Sequence, residues 1–122
     1  MDLNSALAFR KNLDVLGFAN VIANIAASST DAALVTAVTG KRIKVHQLFC
    51  QAGGTATNIT FNSKPGGAGV AISPVFQNAS NGGAVLPISP LGWFTTAVGE
   101  GLTATTGAGS TTGVIVVYSL VD

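Results

Sequence analysis

His46 and Cys50 are the side chains best suited to base and nucleophile chemistry, and they stand four residues apart in RIKVHQLFCQA. On a strand both would share one face with Leu48, but a rise of ~3.3 Å per residue holds them some 13 Å apart. That spacing excludes a dyad. The chain holds one histidine and five acids, of which Asp2 and Asp122 are terminal, so neither a hydrolytic triad nor a carboxylate pair has enough members. His46, Cys50 and the scattered acids also form no spaced metal-ligand cluster. Cys50 is alone and reads as a small buried apolar residue. The glycine-rich pieces GKR, KPGGAG and GAGS lack the fingerprint and following helix of a phosphate loop, and read as turns. The expectation is a protein that is not an enzyme and has no catalytic residues, cofactor, metal or small-molecule substrate.

The elements that would have to position any site are strands. About eight short ones are predicted at intervals of roughly 8 to 12 residues, divided by Gly, Ser and Asn, which is the pattern of a β-sandwich or barrel. NVIANIAAS and AALVTAV flank the turn cluster SSTD. KRIKVHQLFCQA and ATNITFNS are predicted to form a hairpin through Gly53 and Gly54, with Ile59 and Phe61 on one face. GVAIS and PVFQ form a second short pair, confined to an edge or bend by Pro74. GVIVVYSLV is the strongest strand: Val114, Val116, Tyr118 and Leu120 take one face, and Ile115, Val117, Ser119 and Val121 the other.

With 48% hydrophobic and only 9% charged residues, against about 25% charged in an average soluble protein, this surface suits a subunit covered by partners. The longest apolar runs fall short of the ~20 residues that span a membrane, so no membrane is expected. Arg10 and Lys11 before an apolar run imitate a signal peptide, but Asp14, Asn20 and Asn24 interrupt it, and the segment is expected to stay and dock on something. Asn58-Ile59-Thr60 and Asn78-Ala79-Ser80 match the glycosylation pattern without other support for secretion. The basic residues all lie before residue 65. In GKRIK, Arg42 and Lys44 share one strand face and Ile43 and Val45 the other, which suits a solvated or acid-facing edge better than nucleic acid.

Residues 1–18 read as an N-terminal arm or short helix and 19–122 as the sandwich domain. Leu3, Leu7, Phe9, Leu13 and Leu16 are spaced loosely by three and four, Asn4 or Ser5 can cap, and Gly17 can stop; an extended arm fits as well. The segment needs packing on the domain or on a neighbour.

NGGAVLPISPLGWFTTAVGEGL concentrates the remaining interest. Asn81, Gly82 and Gly83 predict a tight turn, and Pro87 and Pro90 a passage between sheets. Trp93 and Phe94 point to opposite faces of an extended segment; Trp93 is expected in the core with Leu91 and Ala97. Glu100 is a loop carboxylate or the partner of a base such as Arg42.

GKRIKVHQLFCQAGGTATNITFNS, this segment and the closing GVIVVYSL together resemble the small all-β virion proteins of tailed bacteriophages, above all capsid decoration or cement proteins. The likeness covers roughly residues 40 to 121. It implies a jelly-roll-like β-sandwich, a homotrimer bound to the major capsid protein on the outside of the virion, made in the bacterial cytoplasm, with Trp93, Phe94 and Glu100 in the shared motif. A tail or connector component and a carbohydrate-binding module are the alternatives. The expected interface comprises Leu7, Phe9, Arg10, Lys11, Leu13 and Phe18 of the arm, with Arg42 and Lys44.

Overall fold

The computed structural model describes residues 17–122, so the arm expectations for Leu7, Phe9, Arg10, Lys11 and Leu13 lie outside the described residues. Ten strands follow: β1 (Ala19–Ile25), β2 (Ala32–Val35), β3 (Arg42–Ala52), β4 (Thr57–Lys64), β5 (Val70–Ala71), β6 (Phe76–Asn78), β7 (Gly83–Leu86), β8 (Phe94–Thr95), β9 (Gly101–Thr106) and β10 (Thr112–Val121). They form two antiparallel five-stranded sheets. The first runs β1-β10-β3-β7, with β8 also on β3; the second runs β2-β9-β4-β5, with β6 also on β4. Taking β5 with β6 and β7 with β8 as two interrupted strands leaves eight, in the paired four-stranded order of a jelly roll. Proline explains the interruptions: Pro74 separates β5 from β6, and Pro87 and Pro90 separate β7 from β8, because proline has no N–H for the ladder.

This topology corrects two expected hairpins. β3 and β4 lie in different sheets, so Gly53-Gly54 sits in a sheet-to-sheet corner, and β5 and β6 each pair with β4 instead of with each other. The glycines that permit a hairpin turn permit a corner equally well.

The core lies between the sheets. Ile43, Val45, Leu48, Cys50, Val114 and Val116 face Ile59, Phe61, Leu102 and Ala104. Phe61 is bracketed by Phe76, edge-on at 6.0 Å, and Phe94, stacked at 5.9 Å. The predicted faces of β4 and β10 are as expected: Ile59 and Phe61 are buried together, as are Val114 and Val116, while Tyr118 and Leu120 line an apolar cleft of about 340 Å³ between the sheets with Val21, Leu34 and Val38.

Trp93 does not enter the core. It is 45% exposed, Leu91 is 87% exposed and Ala97 is exposed; the inward positions are Phe94 and Thr96. The reason is a shift of the sheet-to-sheet passage. Residues 87–93 stay beside β3, where Ser89 N–H donates to His46 O and Trp93 N–H to Val45 O. The chain crosses only after Thr96, which exchanges two hydrogen bonds with Ile43 through its backbone N–H and its Oγ1. Asn81 does make the tight turn, at φ 57°, closed by Gly82 N–H donating to Ala79 O. Gly83 must be glycine, because a Cβ there would collide with the Cys50 carbonyl.

Thr112 is buried on the inner side of β10, and its Oγ1 has no hydrogen-bond partner among the described residues. A buried hydroxyl without a partner is destabilising, whereas valine keeps the β-branched shape. Thr112→Val should therefore raise unfolding free energy by about 1 kcal/mol in urea denaturation; an unchanged or lower value contradicts the assignment.

Candidate functional site

One extra residue in β3 organises the outer side of the first sheet. The β10–β3 register passes from Val117 opposite Gln47 to Tyr118 opposite Val45, so His46 is a bulge. Its ring therefore leaves the side taken by Leu48 and Cys50 and lies on the outer one, which overturns the expected shared face. Cys50 stays inside, where Asn78 Nδ2–H donates to its Sγ at 3.5 Å.

His46 is buried all the same, because three elements cover it. Its Nδ1 lies 2.8 Å from the Ser89 carbonyl and its Nε2 2.7 Å from Ser119 Oγ. A carbonyl only accepts, so Nδ1 carries a proton and donates to Ser89, while Nε2 and the Ser119 hydroxyl share the second hydrogen bond. Phe18 stacks on the ring at 4.3 Å between centroids. Phe18, Lys44, His46, Pro90, Ser119 and Val121 line a cavity of about 210 Å³.

A serine hydroxyl against an imidazole nitrogen is the geometry of a nucleophile and its base. Here both side chains are buried, Phe18 lies over the imidazole, and the orienting group is a peptide carbonyl instead of a carboxylate. The arrangement works as a clamp that fastens Phe18 and the 87–93 segment to β3 and β10. Sequence reasoning missed it because Ser119 and Ser89 lie 73 and 43 residues from His46.

The expected interface residues fall around this clamp. Arg42 is exposed, Lys44 is half-buried, and both are on the outer side as expected, opposite Val121 and Ser119. Among the described residues the one ion pair is Lys41 with Asp122. Phe18 is half-buried against the sandwich, so its ring belongs to the domain and does not project from it. Among the described residues Glu100 meets no base: Ser63 Oγ donates to its Oε1 at 2.7 Å while accepting the Ala97 N–H, which pins the 96–100 corner. Trp93 is held too, its indole N–H donating to Pro87 O at 2.7 Å, so one edge of the ring is tied down and a face is left open.

The second sheet carries a polar cluster that composition did not reveal. Asp31, at φ 50°, accepts from Gly69 N–H, Thr103 Oγ1 and Asn62 Nδ2. The Gly69 amide, outweighing desolvation and aided by Thr103, the Lys64 charge and Asn62, holds its carboxyl below the ordinary 3.8. Gly69 is required there, since any Cβ would run into the Asp31 carboxylate. No group of three or more metal-ligating side chains occurs among the described residues.

Fold and surface together define a β-sandwich of jelly-roll topology with a clamped outer loop. In comparison with known proteins, no family model and no curated protein matches the sequence.

Two predictions follow the two clusters. His46→Ala removes the clamp's centre and should lower stability by about 2 kcal/mol while loosening Phe18 and residues 87–93, seen as faster amide exchange there. Equal exchange in both proteins contradicts the clamp. A depressed carboxyl pKa stabilises the fold fully above the unfolded value near 3.8 and loses that contribution as pH falls through the lower folded value. Asp31→Asn should accordingly be less stable than the parent at pH 7, with the gap closing as pH falls past 3.8 and through the lower folded value. Denaturation midpoints measured from pH 7 down into acid test this, and a gap that persists in acid contradicts it.

Proposed function

We propose that this protein is a structural component of a tailed-phage virion, an oligomer that binds the outside of the capsid through the major capsid protein and reinforces it. The observation that carries the reading is an outer surface rich in large apolar side chains on a domain with very little charge. Ile22, Phe49, Val85, Ile88, Leu91 and Trp93 are all exposed. Apolar exposure of this extent on a charge-poor chain suits a subunit whose surfaces are covered in an assembly.

In this reading Arg42 and Lys44 meet acidic groups of the capsid protein, and residues 1–16, with Arg10 and Lys11, reach a neighbouring subunit in a trimer. Phe18 is retained in the test because it packs on His46. The protein without residues 1–16 should lose its trimeric mass. The Arg42→Glu, Lys44→Glu double variant should rebind stripped capsids at least about tenfold more weakly at low salt, a change of 1.4 kcal/mol. Unchanged mass and unchanged rebinding in both variants overturn the proposal. Rings or tubes without capsid affinity would indicate a tail or connector component.

A second reading has one specific observation in its favour. The half-exposed, hydrogen-bonded Trp93 presents a fixed aromatic surface of the kind that stacks on sugar rings. Glycan-dependent quenching of Trp93 fluorescence supports that reading, and its absence across a glycan panel removes it.

A further inference from the structure

We propose that the outer face of β1, β10, β3 and β7 pairs with the same face of a second copy of this chain across a twofold axis. The cross-strand registers place Ile22 opposite Ile115, Ile115 opposite Phe49, and Phe49 opposite Val85. Four apolar side chains therefore form one straight row across the sheet, about 14 Å long at a strand spacing of ~4.8 Å. They are 73%, 41%, 38% and 61% exposed in that order.

The rows on either side decide which partner fits. Asn24, Gly113, Gln51 and Gly83 are in register on one flank, and Asn20, Val117 and Gln47 on the other. Carboxamides both donate and accept, so a rim of Asn and Gln is complementary to itself, as a rim of one charge sign is not. No charged side chain lies in these three rows to recognise an acidic or basic partner. An isologous contact asks for this kind of self-complementary patch, apolar at its centre and polar at its rim.

The placement of charge agrees. Arg42 and Lys44 lie five to seven residues down β3 from Phe49. A twofold that lies in the interface plane along the Ile22–Val85 row, across the strands, sends the two basic ends in opposite directions, roughly 30 Å apart, well beyond the ~8 Å screening length. Contact through this face then brings no like charges together. The patch is roughly 20 Å on a side, about 400 Å² per copy, which is below the area of a standard stable interface. The pairing is accordingly weak, with a Kd on the order of 10 μM.

The inference does not depend on the capsid reading, and the experiment separates them. In sedimentation of the full chain over a series bracketing about 10 μM, the mass should double with concentration. Ile22→Lys and Val85→Lys, both at well-exposed positions, should abolish the doubling; Val70→Lys, comparably exposed on β5 of the other sheet, should not. Ile115→Cys should be linked to its own copy by a short thiol-reactive bismaleimide, which spans the ~10 Å between face-packed sheets as a disulfide does not, against a background in which buried Cys50 stays inert and Val70→Cys does not cross-link. The protein without residues 1–16 should keep the doubling even where trimer formation is lost. A mass independent of concentration, doubling that survives Val85→Lys, or cross-linking at 115 no faster than at 70 overturns the proposal.

Discussion

The ladder between β3 and β10 is the longest in the molecule, and the extra residue it accommodates determines what lies outside it. With His46 inserted, Ile43 and Val45 remain inside on one side of the bulge and Leu48 and Cys50 on the other, so the core is continuous across the change of phase. The inserted imidazole faces outward, where two polar nitrogens require partners. Ser119 and the Ser89 carbonyl supply them, and Phe18 excludes water from the ring. The position of the 87–93 segment follows, and with it the exposure of Leu91 and Trp93. A strand kept regular from its Leu48 and Cys50 end would have turned His46 toward the core, where neither partner could reach it.

Much of the sandwich was legible because period-two patterning survives wherever one strand face is buried and the other is not. β10 and β4 show it directly, and the Gly, Ser and Asn clusters mark where strands end. Strand pairing was not legible. In a jelly roll consecutive strands mostly belong to opposite sheets, and Gly53-Gly54 looks the same whether it closes a hairpin or turns a corner. The same loss explains His46. Alternation assigned it to the side of Leu48 and Cys50, and a bulge leaves no mark in the spacing of one strand, since it exists only relative to the partner. Trp93 failed for a related reason: size and apolarity favour burial, but Phe94 held the inward position against Phe61. Of the two readings of Glu100, the loop carboxylate holds, and the pairing with Arg42 gives way to a hydrogen bond from a serine 37 residues away.

The two outer faces solve the exposure of a sheet differently. On the second sheet, Thr103 stands opposite Asn62 and Thr105 opposite Thr60, and Asp31 gathers bonds from Thr103, Asn62 and Gly69. That face is polar and internally satisfied, and water completes it without another protein. The first sheet places Ile22, Ile115, Phe49 and Val85 in one row where solvent gives no compensating interaction.

This asymmetry bears on function more directly than any single residue does. Cross-strand pairs such as Phe49 with Val85 stabilise the sheet itself by about 0.2–1 kcal/mol each, but they leave the outward side of the row in water. Alignment matters when another flat surface must meet all four at once, because sheets pack face to face through rows of side chains about 10 Å apart. The amide flanks then define the contact's edges, while the clamp at His46 holds the loop with Leu91 and Trp93 at one fixed place beside the row. The chain carries six basic residues, and among the described ones Arg42 and Lys44 stand at one end of this sheet. The apolar row and the basic end are thus separate surfaces of one sheet, so a change in one leaves the chemistry of the other intact.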